Sequence, residues 1–189
     1  MKTTIVYAHP WDGSFNHSIL EDTKAALIAK NHDVDVIDLH ADNFDPVMRP
    51  ADLRVFGRGE YHDELALDYK NRLQASDEVI FIFPIWWYGL PAILKGFFDK
   101  VMLKGHTYSE DEDHNLVGLL DVSKAAVFTT ANINKEIFGY LGDPIQNALI
   151  SGLFKTVGIN NVTWIHCPTV HLEESRNNFK QEIKEYLAK

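Results

Sequence analysis

A chain of 189 residues with a net charge of −9 and a single cysteine, Cys167, closes off several function classes at the outset. The charge argues against a general nucleic-acid surface, which needs a basic stripe to displace counterions, and the lone cysteine rules out an internal disulfide or a cysteine-based metal framework. The length suits one domain, 1–189, able to bury about 70% of its unfolded surface. Met1-Lys-Thr-Thr4 enters a strand directly and no apolar run approaches membrane-spanning length, so the expectation is a soluble, cytoplasmic protein without a signal peptide or direct membrane insertion.

Taken in order, Thr3 to Ala8 is a short β-rich run, followed by His9-Pro10-Trp11-Asp12-Gly13-Ser14-Phe15-Asn16 and a helical pattern with Ile19, Leu20, Ala26 and Leu27 inward. Gly13 allows a sharp turn and Ser14 can cap the helix, which leaves amides around residues 14 to 16 free for an anion such as phosphate. His9 can donate to the same group. Singly, Ser14 is an ordinary N-cap and His9 a satisfied histidine at a strand end. Asp33 to Leu39 alternates as an outer strand does, and 40–63, with two prolines, two glycines and many charges, reads as a long surface connection. Leu65 to Ala75 is a short helix.

Val79 to Phe83 is an unbroken apolar run closed by Pro84, as expected of a central parallel strand covered on both faces. Ile85, Trp86, Trp87 and Tyr88 then stand at its carboxyl end, the edge at which open α/β sheets bind ligands. Such a loop suits a flat conjugated ring, held at its rim by backbone groups and on its face by an indole; the bland alternative is that the tryptophans plug a helix–strand junction. Beyond Pro91, Ile93, Leu94, Phe97, Phe98 and Val101 have core spacing. Lys104 to Asn115 reads as a solvated loop; its acids lack the spacing and central glycine of a calcium loop, so no metal is assigned.

Ala125 to Thr129 is a further buried strand ending in Thr130-Ala131-Asn132, Ile145 to Val157 an amphipathic helix stopped by Gly158, Val162 to His166 a last strand, and Glu173 to Leu187 a terminal helix. Five strands alternating with helices predict an α/β, doubly wound, five-stranded parallel sheet of order 2-1-3-4-5 with helices on both faces. That order brings together the loops 9–16, 84–88 and 129–132. Amides for a phosphate beside a slot for a planar ring outline a flavin nucleotide, although spacing alone does not separate it from other nucleotides.

The segments His9-x-x-x-Gly13-Ser14-Phe15-Asn16, Phe83-Pro84-Ile85-Trp86-Trp87-Tyr88-Gly89-Leu90-Pro91-Ala92-Ile93-Leu94-Lys95-Gly96 and Thr129-Thr130 resemble, in the same order, the flavodoxin-like NAD(P)H:quinone oxidoreductases, the DT-diaphorase family. The resemblance implies that His9, Ser14, Phe15 and Asn16 hold the flavin phosphate, that Pro84, Ile85, Trp86, Trp87 and Tyr88 hold the isoalloxazine, and that Thr129, Thr130, Ala131 and Asn132 bond its pyrimidine end. It implies ping-pong chemistry with no side-chain nucleophile or base: NAD(P)H as co-substrate gives hydride to flavin N5 and leaves, and a quinone, nitro or azo acceptor takes its place. FMN is expected, with FAD the alternative, in a homodimer whose Tyr108 lines the partner's pocket.

Family members read Thr-Thr-Gly-Gly, followed by a tyrosine and a histidine that stabilise charge on the reduced flavin. Here Ala131 and Asn132 replace the glycines and no histidine lies between His114 and His166, which leaves Thr130, backbone amides or Tyr140 for that task. The C-terminal extension of the long animal enzymes has no counterpart. Two other readings stand beside the enzyme: a flavin-binding regulatory subunit resembling the ancillary oxidoreductases of potassium-efflux systems, and a flavodoxin-like electron carrier.

Overall fold

The apolar run at the middle of the sequence forms β3, Glu78–Pro84, in which all seven residues are buried. Period-two geometry sends Ile80 and Ile82 to one side and Val79, Phe81 and Phe83 to the other, so both faces must be covered. The computed structural model describes residues 1–189. β3 pairs in parallel with β1, Lys2–Tyr7, and with β6, Lys124–Thr130; β2, Asp33–Asp38, and β7, Val162–Cys167, complete a sheet of order β2-β1-β3-β6-β7. Numbered among themselves, these five strands have the order 2-1-3-4-5 expected from the sequence.

On one face, α1, Phe15–Ala29, and α7, Glu173–Ala188, bury Ile19, Leu20, Leu27, Phe179, Ile183 and Leu187 against Ile5, Ile80, Ala126 and Ile165. On the other, α3, Glu64–Gln74, α4, Ala92–Val101, and a π-helix, Pro144–Phe154, meet Val6, Phe81, Phe83 and Val127. Phe81 stacks on Phe154 with ring centroids 4.8 Å apart. Each such fully buried aromatic contributes roughly 1.5–3 kcal/mol from area alone.

The structure departs from expectation in four places. Residues 40–63 contain a helix, α2, Pro50–Phe56, and are anchored rather than merely superficial: Phe44 is buried against Tyr69 and Phe97, and Lys100 pairs with Asp63 and donates to the Asp45 carbonyl. Gly96 makes this possible, because a Cβ there would meet the Pro46 carbonyl oxygen at 2.2 Å. The supposed loop 104–115 instead opens a hairpin, β4, Tyr108–Glu110, antiparallel to β5, Leu116–Gly118, and its Asp111 carboxylate accepts from the amides of Asp113 and Asn115. The helix beginning at Pro144 is π-helical until an α-turn, α6, Lys155–Val157. Its buried residues Ile145, Leu149 and Phe154 are spaced by four and then five, which suits the wider i→i+5 turn. A short helix, α5, Lys135–Tyr140, precedes it without having been anticipated.

Candidate active site at the carboxyl edge of the sheet

The loops after β1, β3 and β6 are joined pairwise. Asn16 Nδ2 donates to Thr130 Oγ1 at 2.8 Å, linking the first to the third; the Ile85 amide donates to the Thr130 carbonyl at 2.8 Å, linking the second to the third; and the His9 and Trp86 rings meet edge to face at 6.1 Å. The convergence expected from strand order is therefore a bonded assembly.

In the first loop Ser14 is the N-cap of α1, its Oγ accepting from the His17 amide at 3.1 Å. The preceding amides of Phe15 and Asn16 have no acceptor within the chain, as the geometry of a helix start dictates. The Trp11 amide donates to His9 Nδ1 at 3.1 Å, so the neutral imidazole carries its proton on Nε2 and presents a donor. Burial, with the charge of His40 as a lesser cause, holds His9 below the ordinary histidine range. The Trp11 indole lies over Gly13, where any Cβ would come within 2.5 Å of it. Asn16 is 4% exposed, and its Oδ1 is buried with no partner. An acceptor stranded in this way costs about 1–3 kcal/mol, so its persistence beside free amides marks a place for a ligand donor.

The second loop is a two-residue turn closed by reciprocal bonds between Trp86 and Gly89, both at 3.1 Å. Its central residues, Trp87 and Tyr88, have φ of 49° and 66°. Such a turn favours Asn-Gly, and left-handed backbone at two aromatic residues costs on the order of 1–2 kcal/mol each. Despite that cost, Trp87 is 96% exposed. Strain without burial is a mark of a site rather than of a core.

The third loop is more closely committed. Thr129 is fully buried: its hydroxyl accepts from Trp164 Nε1 at 2.9 Å and lies 2.8 Å from His166 Nδ1. It has no side-chain group left for a ligand. Thr130, by contrast, accepts from Asn16 and keeps its own hydroxyl proton available. Ala131 uses its amide on the Cys167 carbonyl and its carbonyl on the Val170 amide, while Asn132 Oδ1 meets His171 Nδ1 at 2.8 Å.

Between the second and third loops an open cleft of about 230 Å³ is lined by Ile85, Trp87, Tyr88, Ala131, Asn132 and Ile133. Five of these six are residues singled out by sequence; Ile133 is added by the structure. Phe15 packs its ring on Phe179 at 6.1 Å and offers the site its amide alone, and Pro84 is buried at the end of β3. Tyr140, 90% exposed on α5, and Tyr108, half-buried on β4, do not line the cleft.

A doubly wound parallel sheet with a ring-sized cleft and free helix amides at its carboxyl edge defines a flavodoxin-like α/β protein, and the family model described as "Flavodoxin-like fold" matches residues 1–189. Among curated proteins, the "Uncharacterized NAD(P)H oxidoreductase" of Haemophilus influenzae is 31% identical over 181 residues, 93% of this chain and 88% of that one. NAD(P)H dehydrogenase [quinone] 1 of Rattus norvegicus is 36% identical over 127 residues, which are 57% of this chain but only 45% of the rat enzyme. The solved structure of an NAD(P)H:quinone oxidoreductase from Methanothermobacter marburgensis superposes with a TM-score of 0.86 at 26% identity, covering 99% of this chain and 97% of that one. The chain belongs to the flavodoxin-like NAD(P)H:quinone oxidoreductase family and is an oxidoreductase.

Proposed function

We propose that this oxidoreductase binds a flavin nucleotide at the carboxyl edge of its sheet and uses it to carry two electrons from NAD(P)H to a quinone or a related nitro or azo acceptor. The observation that carries the reading is the bonded pair of first and third loops, with the free amides of Phe15 and Asn16 beside the unpartnered, buried Oδ1 of Asn16. Amide donors for an anion beside an acceptor for a hydroxyl suit a polyol phosphate, the chain that joins a flavin ring to its phosphate.

His9, Ser14, Phe15 and Asn16 would then hold the phosphate, and Asn16 Oδ1 a ribityl hydroxyl. Pro84 to Tyr88 and Thr130 to Asn132 would hold the ring, with the Trp87 indole over the cleft and the free Thr130 hydroxyl proton as the group that offsets charge. Bound there, a flavin would supply the two-electron hydride chemistry between nicotinamide and acceptor, and the two substrates would use one place in turn. The chain's own part is to bind, orient and exclude water; no side chain here need serve as nucleophile. FMN is the cofactor we propose, with FAD the alternative. The same reading makes the molecule a cytoplasmic homodimer in which Tyr108 of each copy completes the cleft of the other. No helix of the chain is long and apolar enough to cross a membrane.

The test is to add FMN or FAD, desalt, and titrate anaerobically with NADH or NADPH. Retained flavin that bleaches with either reductant and recovers on adding a quinone is the expected result. A retained flavin that neither nucleotide bleaches would leave a carrier rather than this enzyme, and no retained flavin would end the proposal.

A further inference from the structure

The rim of the cleft, residues 131–133, hangs from β7 and the segment that follows it. Its direct bonds are Ala131 to Cys167, Val170 to Ala131, and Asn132 to His171; the fourth tie comes from a buried chain whose direction the chemistry fixes. Trp164 Nε1 is only a donor, so the Thr129 hydroxyl must accept from it, at 2.9 Å, and must point its own hydrogen elsewhere. The one partner in line is His166 Nδ1, at 2.8 Å, which is thereby the acceptor. The imidazole proton then sits on Nε2, 2.9 Å from the carbonyl of Ile133, a wall of the cleft.

Resting on the proposed reading of the cleft as a ring site, we propose that His166 is its positioning residue: its Nε2–H holds the Ile133 carbonyl and so fixes the rim against which the ring lies. The imidazole does not reach the cleft itself, so it acts through the backbone of the rim. In a chain whose rim lacks paired glycines, this tie sets where the Ala131-Asn132 backbone stands. Burial and Lys135 favour a neutral ring at His166, and Asp143 opposes them as a smaller influence. Phe138 packs against the imidazole with ring centroids 5.5 Å apart, Lys135 and Glu136 of α5 and Glu182 of α7 line the polar hollow it borders, and Asp143 lies beyond α5. Burial, with Lys135 as a lesser cause, keeps His166 below the ordinary histidine range.

Two substitutions separate this role from mere packing. His166→Gln keeps a donor at the Nε2 position, whereas His166→Asn keeps an acceptor at the Nδ1 position and loses the donor. In the protein as purified, hydrogen exchange of the Ala131 and Val170 amides is expected to quicken about tenfold or more in His166→Asn and to stay near wild type in His166→Gln. With flavin added, His166→Asn should weaken binding about tenfold and shift the bound flavin's spectrum and reduction potential, while His166→Gln restores all three. Should His166→Asn fail to fold, Thr129→Val, which frees the Nδ1 side, is expected to loosen the same amides and Thr129→Ser to restore them. Unchanged exchange at the rim, or equal weakening by both His166 variants, overturns the proposal. Absence of flavin binding by the wild type, with the exchange difference present, overturns the ring reading and this role in it; the exchange result tells the two failures apart.

Discussion

The two ends of β3 treat polar groups in opposite ways. At its start, Glu78 is fully buried and both its oxygens are engaged: Thr3 donates to Oε2 at 3.1 Å, Tyr186 to Oε1 at 2.7 Å, and Lys124 stands 3.0 Å from Oε1. Burial pushes the Tyr186 hydroxyl well above its usual range, which keeps it a donor. At the other end, Trp87 and Tyr88 are held in left-handed backbone with the indole exposed, two helix amides are free, and Asn16 Oδ1 has no partner. One strand thus carries a saturated polar lock and, across seven residues, an edge whose bonding capacity is kept open at a cost in strain. On the proposed reading the first end serves stability and the second a ligand, so substitutions at the two ends should divide cleanly between unfolding and binding.

The sharpest break of that contrast is Glu78→Ala, which strands the buried Tyr186 hydroxyl and takes the ion-pair partner from Lys124, while Thr3 keeps His32. The substitution should cost about 2–3 kcal/mol in urea denaturation while leaving the flavin affinity of the folded fraction unchanged. Ser14→Asp should do the reverse. Aspartate caps a helix as well as serine, so stability holds, but its carboxylate takes the place of an anion at the free amides. FMN affinity, read by fluorescence quenching, should fall at least about tenfold while riboflavin, which has no phosphate, binds as before. Equal losses for the two ligands would remove the phosphate from that loop.

Trp87→Gly sharpens the comparison from the ring side. Glycine accepts the left-handed backbone, so stability should hold or rise by up to about 1 kcal/mol, while FMN and riboflavin affinities should fall together by roughly three- to tenfold. A variant that keeps wild-type affinity would show that the indole does not cover the ring.

The smallest expected effect is in pH. His166 has its folded pKa lowered, so between the ordinary histidine value and that lowered value the unfolded chain takes up a proton the folded chain refuses. Its contribution is complete above the ordinary histidine pKa and is lost as the pH falls through that window. His166→Asn should flatten this part of the stability–pH curve, and an unaltered slope would assign it to other groups, His9 first among them.

Much of this division could be read in the sequence, because period-two burial and a strand closed by Pro84 place Trp86 to Tyr88 at one edge, and Gly13-Ser14 places a capped helix beside them. What escaped was what depends on pairing across distant segments. Thr129 read as a ligand residue, but its hydroxyl is claimed by Trp164 and His166, 35 and 37 positions away. The anchoring of 40–63 turns on Phe44 and Lys100, a single aromatic and a lysine that carry no local pattern. The π-helix had left a trace in the four-then-five spacing of Ile145, Leu149 and Phe154, which a 3.6-residue template absorbs without protest. The left-handed turn at Trp87-Tyr88 had no trace, since local propensity opposes it.

The most direct test of a ligand-holding edge is the unfolding temperature of the protein alone and with FMN, FAD or riboflavin at matched concentrations. A ligand at about a hundred times its dissociation constant stabilises the folded state by about 2.7 kcal/mol, which a thermal scan resolves. The account predicts a clear rise with FMN or FAD and a smaller one with riboflavin, the difference vanishing in Ser14→Asp. No rise with any flavin would contradict it.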